Sequence, residues 1–162
     1  MAALTLFCAL LLIASAAHKA LAQARLAPVA ARLAGTGAGL GPVLLVLAGA
    51  GEMAAAAFLL IAPLRPIGAA LAAAIWTTYA LLLWRKRGAT LDCGCDLAAR
   101  AKPVTSALIA RPAALAVLAI LVSTLPAAPL TLDAPFAAAG FFALYLGLSE
   151  LLATPRPAWR TA

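Results

Sequence analysis

Cys93 and Cys95 stand one residue apart in Thr90-Leu91-Asp92-Cys93-Gly94-Cys95-Asp96, a polar interruption in an otherwise strongly apolar chain. Two thiols separated by one glycine can close a small ring, because glycine tolerates the backbone torsions that closure requires. A strained, accessible disulfide of this kind is labile and oxidising, which suits exchange with a partner rather than stapling. Arg85, Lys86, Arg87, Arg100 and Lys102 favour the thiolate, while Asp92 and Asp96 oppose it. The same residue types also suit two other roles: a soft-metal site, with His18 or an aspartate completing the shell around Cys93 and Cys95, or a structural pair with no chemistry. The third cysteine, Cys8, falls inside an apolar run and reads as a small buried residue.

A second set of candidates lies in the apolar runs themselves. Glu52 falls about ten residues into a span, close to mid-bilayer at about 1.5 Å per residue. A carboxylate there costs about 2.5–3.5 kcal/mol on insertion scales, so it must face the bundle and find a partner or a proton. The alternatives are a structural interhelical hydrogen bond, proton transfer, or binding of a small polar or quinone-like ligand. His18 and Lys19 could reach toward Glu52 from the preceding span, although the rise per residue sets Glu52 about 9 Å deeper. His18 alone reads first as an interfacial residue, Glu150 as a partner for a loop cation, and Trp76, Tyr79 and Trp84 first as an interfacial aromatic belt and packing and second as a quinone-stacking surface.

The elements that must position these residues follow from composition. The 162 residues are 66% hydrophobic and 10% charged, with a mean hydropathy of +1.07, which marks an integral membrane protein. The net charge of +7 comes from basic residues at the ends of apolar runs, which is topology signal and lipid headgroup contact rather than nucleic-acid binding. Five spans are expected, at about 2–24, 42–62, 67–84, 105–125 and 135–152, giving an all-α, up-down antiparallel bundle over residues 1–153 and a short tail at 154–162. The first run could instead be a cleaved signal peptide ending at Ala20-Leu21-Ala22, leaving four spans. The absence of a basic residue ahead of it and the presence of His18-Lys19 favour a retained helix. Residues 25–41, rich in glycine, read as a flexible connector, because no strand precedes them and no Gly-Lys-Ser/Thr ends them. The Cys-x-Cys loop occupies about 87–104, and Asp133 is a candidate N-cap for the last helix.

Alternating spans bring His18, Lys19, Tyr79, Trp84, the cysteine loop, Arg111 and Glu150 to one end of the bundle, whichever side of the membrane that is. The excess of Lys and Arg at that end places the cysteine loop in the cytoplasm of a bacterial-type inner membrane.

Ser15-x-x-His18-Lys19 in the first span, Gly51-Glu52 in the second, Asp92-Cys93-Gly94-Cys95 after the third and Arg111 opening the fourth resemble the MauE/DoxX-like redox-associated membrane proteins. The resemblance covers most of the chain in order. It implies a small helical bundle related to vitamin K epoxide reductase-like proteins, thiol-disulfide handling, a thioredoxin-like partner and, for the family's namesake, a part in disulfide formation during methylamine dehydrogenase maturation. Cys93 and Cys95 would then be the redox pair of a thiol-disulfide oxidoreductase, with His18, Lys19 and Glu52 as motif residues of unassigned role. The family commonly continues its Cys-x-Cys with Phe-Gly, where this chain has Asp96-Leu97. Oxidation of exported proteins would place the loop on the face opposite to the one the charges favour.

Overall fold

The computed structural model describes residues 2–91, 102–126 and 131–153. Six helices account for nearly all of it: α1 (Ala2–Leu21), α2 (Gln23–Ala34), α3 (Gly41–Leu60), α4 (Arg65–Arg85), α5 (Ser106–Thr124) and α6 (Asp133–Ala153). All but α2 are long and apolar enough to cross a membrane. Their outward faces carry large apolar side chains such as Val43, Leu47, Val117 and Leu144, as a lipid-facing surface requires.

The expected five-span bundle is therefore present. α1 packs against α3 and α6, α3 also against α4, and α4 against α5. Phe7, Cys8, Leu11 and Leu12 of α1 supply the middle of the core, with Ala55, Ala56 and Leu59 of α3 and Ala69, Ala72 and Ala73 of α4. Phe7 meets Phe141 and Tyr145 of α6 edge to face. Small residues dominate the α3–α4 seam because apolar side chains gain little from leaving lipid, so close backbone approach drives association there. Gly68 marks the tightest point: a Cβ on it would lie 2.4 Å from the Leu59 amide nitrogen.

Two local features differ from the sequence expectation. Residues 25–34 of the expected flexible connector, with the last two residues of the expected first span, form α2, which ends at Gly35 in the left-handed conformation. The Gly35 and Thr36 amides donate back to the Arg32 and Ala31 carbonyls, the usual glycine stop for a helix. Pro28 is the sixth residue of α2, past the first turn, so the Ala24 carbonyl goes without its usual amide donor there. Asp133 opens α6 as its first residue instead of standing before it. Of the aromatics read as belt and packing, Trp76 is buried in the core and Trp84 is exposed.

The α4–α5 connection leaves and returns through a two-residue antiparallel pair, β1 (Thr90–Leu91) and β2 (Lys102–Pro103). The Gly88 amide donates to the Val104 carbonyl and the Val104 amide to the Ala89 carbonyl. Thr105 then caps α5, its hydroxyl accepting from the Leu108 amide. At the opposite end, Arg65 donates to the Leu125 carbonyl, satisfying an otherwise orphaned acceptor at the end of α5.

Candidate functional site

Ser15, Lys19, Glu52 and Tyr79 meet inside the bundle. Glu52 is fully buried and Lys19 nearly so. The Lys19 ammonium donates to Glu52 Oε1 at 2.8 Å, to Oε2 at 3.0 Å and to the Ser15 hydroxyl at 2.6 Å. Ser15 donates in turn to Oε1 at 2.9 Å, and the Tyr79 hydroxyl donates to Oε1 at 2.8 Å. The ammonium also lies 5.2 Å from the centre of the Tyr79 ring, within cation-π range. Lys19 thus fills all three donor positions, and the carboxylate receives four donors. Among the described residues no buried side-chain nitrogen or oxygen lacks a partner, the condition under which an ion pair survives burial.

The local folding explains how Lys19 reaches a residue expected to lie deeper. α2 continues from α1 beyond a break at Ala22 and runs beside the start of α3, where Leu26 and Ala27 pack on Leu45. Ala27 lies directly against Gly41, whose added Cβ would fall 2.2 Å from the Ala27 carbonyl oxygen. From that contact, Lys19 is eight residues back along the chain and Glu52 eleven residues forward, about 12 and 16 Å at the helical rise. The end of α1 therefore stands beside the middle of α3, and the lysine side chain covers the difference. The expected 9 Å offset assumed that α1 ends at the same height as α3 begins. α2 occupies that height instead.

Ser15 shares a helix face with Lys19 through the four-residue spacing, and that spacing is the signal that could have drawn it into the site. Tyr79 was expected at an interfacial belt, and nothing in its spacing in α4 distinguishes it from Trp76 or Trp84. His18 is brought near the site but not into the ion pair: its Nε2 lies 3.1 Å from an Arg25 guanidinium nitrogen, linking the end of α1 to α2. Arg111 donates to the Ser149 carbonyl, joining α5 to the last turns of α6. Glu150 is exposed on α6. Cys93 and Cys95 lie outside the described residues, as do Asp92, Asp96 and Arg100. Cys8 is a free, buried thiol in the core.

A cavity of about 230 Å³ opens beside the ion pair between α2, α3 and α4. Its lining includes Lys19 and Tyr79 among apolar side chains such as Leu26, Leu33, Leu45 and Leu82. A smaller one, between α1, α4, α5 and α6, is lined by Ser15, Tyr79 and Arg111 among others.

The family model described as methylamine utilisation protein MauE matches residues 1–125. The chain belongs to the MauE family. The matched region includes α1 to α5, the four residues of the buried site and the Cys-Gly-Cys sequence. Among curated proteins and solved structures none shows significant similarity to the chain. Taken with the five apolar helices, the family membership makes this a multi-pass membrane protein.

Proposed function

We propose that this MauE-family protein is a membrane-embedded thiol-disulfide redox protein whose Cys93/Cys95 pair exchanges electrons with a thioredoxin-like partner or an exported protein, methylamine dehydrogenase being the substrate that the resemblance to the family's namesake implies. The observation that carries the reading is the buried Lys19–Glu52 pair, bonded to Tyr79 of α4, the helix whose end leads through β1 into the cysteine segment. Interconversion of a dithiol and a disulfide moves two electrons and two protons. A pair of opposite charges with two hydroxyls, held in a low-dielectric interior, is chemistry suited to holding or passing a proton beside such a reaction. Lys19 and Glu52 are assigned that role, with Ser15 and Tyr79 as positioning residues. Arg25 holds His18 at the rim of the same end.

The test is capture of a mixed disulfide. Cys95→Ser and Cys93→Ser variants, expressed singly in the native host and quenched in acid, leave one attacking thiol with no neighbour to resolve it. One of the two should accumulate a reducible adduct with a thioredoxin-fold protein or an exported substrate at least tenfold over wild type. Absence of any reducible adduct with both variants would exclude the exchange role. Labelling the pair with a membrane-impermeant maleimide, before and after opening the cells, then determines its face. The Lys and Arg excess at that end supports the cytoplasmic face of an inner membrane.

A further inference from the structure

The cavity of about 230 Å³ between α2, α3 and α4 is apolar in effect as well as in composition. Lys19, Thr78 and Tyr79 are the polar side chains of its lining, and each spends its donors inside the protein. Lys19 donates to Glu52 and Ser15, Tyr79 to Glu52, and Thr78 to the Ala74 carbonyl one turn back. The rest of the wall is leucine, valine and alanine, so the space suits hydrocarbon rather than a polar ligand or water. Ala34 and Thr78 are exposed members of the same lining, so the space reaches the surface of the bundle where α2 faces α4.

Two cations stand at one end of this space. Lys86 follows Leu82 by four residues and Leu83 by three, which puts it on the same face of α4, one turn nearer the helix end. Arg32 follows Val29 by three and adjoins Leu33, and Leu33 packs on the cluster of Leu83, Val104 and Leu108. The ends of α2 and α4 therefore carry the two side chains at one level. Among the described residues neither Arg32 nor Lys86 has an ion-pair partner. Below them the cavity continues to Tyr79, seven residues back along α4, about 10 Å at the helical rise. A cationic rim over an apolar shaft matches the division of a phospholipid into head group and chain.

We propose that the cavity holds one acyl chain of an anionic phospholipid whose phosphate meets Arg32 and Lys86. Charge selects the head group. A net negative head group of the phosphatidylglycerol type meets two cations, whereas choline or ethanolamine would bring a third positive charge to the rim. Each such cation is worth about fivefold in affinity for an anionic lipid. The inference goes beyond the thiol-redox reading and does not draw on it. Its consequence lies in α2: the bound lipid joins the end of α2 to the end of α4, and so holds the helix whose contact with α3 sets Lys19 beside Glu52.

The test uses the full-length protein, stripped of lipid by detergent exchange and offered dioleoyl phosphatidylglycerol or dioleoyl phosphatidylcholine in mixed micelles. Native mass spectrometry should find one phosphatidylglycerol retained per protein and at least tenfold less phosphatidylcholine at equal mole fraction. Arg32→Gln combined with Lys86→Gln should weaken retention of phosphatidylglycerol at least tenfold. Ala30→Leu, which fills part of the cavity, should weaken it at least threefold, whereas Val43→Trp, on the exposed face of α3, should leave it unchanged. Because a leucine at 30 could disturb α2, all variants are also melted in lipid-free detergent. The double Gln variant changes side chains outside the core and should melt as wild type does, so its loss of retention reports the rim and not unfolding. Phosphatidylglycerol should raise the melting temperature of wild type and leave that of the double Gln variant where it was. Equal retention of the two lipids would mean annular lipid only and would overturn the site. Equal retention of phosphatidylglycerol by wild type and the double Gln variant would do the same. Displacement of the lipid by soluble glycerol phosphate would also overturn it, since a head group would then suffice without a chain.

Discussion

Lys19 and Glu52 are buried together, and each makes the other's position tolerable. Glu52→Gln would leave an ammonium without its counter-charge, and Lys19→Met would leave a carboxylate in the same state. Each is expected to cost about 3–5 kcal/mol of stability. The double change to Met and Gln should cost clearly less than the sum, because it removes both charges at once. Thermal unfolding of the four proteins in one detergent measures this, and additive losses would show that the pair is not coupled. Tyr79→Phe removes one of four donors to the carboxylate and should cost about 1.5–3 kcal/mol, as for a hydrogen bond to a charged group. The same melting series checks it. At this scale the sequence was partly readable. Glu52 declared itself as a carboxylate in mid-span, and Lys19 as a candidate partner. Ser15 was marked only by its four-residue spacing from Lys19, and Tyr79 carried no mark, since a tyrosine near a helix end is ordinary in membrane helices.

Hydropathy located the five spanning helices to within a few residues, because a run of apolar residues long enough to cross the bilayer can satisfy its backbone in no other way than as a helix. α2 escaped the same logic. It is too short and too polar to span, and the glycines that follow it, together with Pro28, make the whole stretch resemble a loop. Its helical state is stabilised by packing on α3, which local sequence does not announce. The contact between Ala27 and Gly41 sets the register on which the ion pair depends, so α2 is also the element whose displacement should be felt at Glu52. Gly41→Val would force the Ala27 backbone away and should cost about 1–3 kcal/mol as overpacking does. It should also expose position 26: in a background lacking the native cysteines, Leu26→Cys should react with maleimide faster when combined with Gly41→Val. Unchanged reactivity would mean that α2 does not rely on this contact.

For the whole molecule, the arrangement concentrates its polar chemistry at one end. The end of α1, the middle of α3 and the second half of α4 meet around the buried pair, and α4 then leads through β1 into the segment carrying Cys93 and Cys95. The other end holds Arg65 fastened to the end of α5, a structural contact. Such one-sidedness was legible in the sequence, because alternating spans fix which loop ends are neighbours. The close approach of the charged groups was not, because it depends on where α1 stops relative to α3. The most direct measurement of the central claim is the redox state of Cys93/Cys95 in growing cells, fixed by acid and resolved by a mass-adding maleimide in wild type and in Glu52→Gln. The account predicts a wild-type pair that is partly disulfide and returns to that ratio within minutes of a pulse of reductant, and a Glu52→Gln pair that recovers at least tenfold more slowly at comparable protein level. A pair that stays fully reduced in wild type after oxidant challenge, or one that recovers equally fast in both proteins, would contradict it.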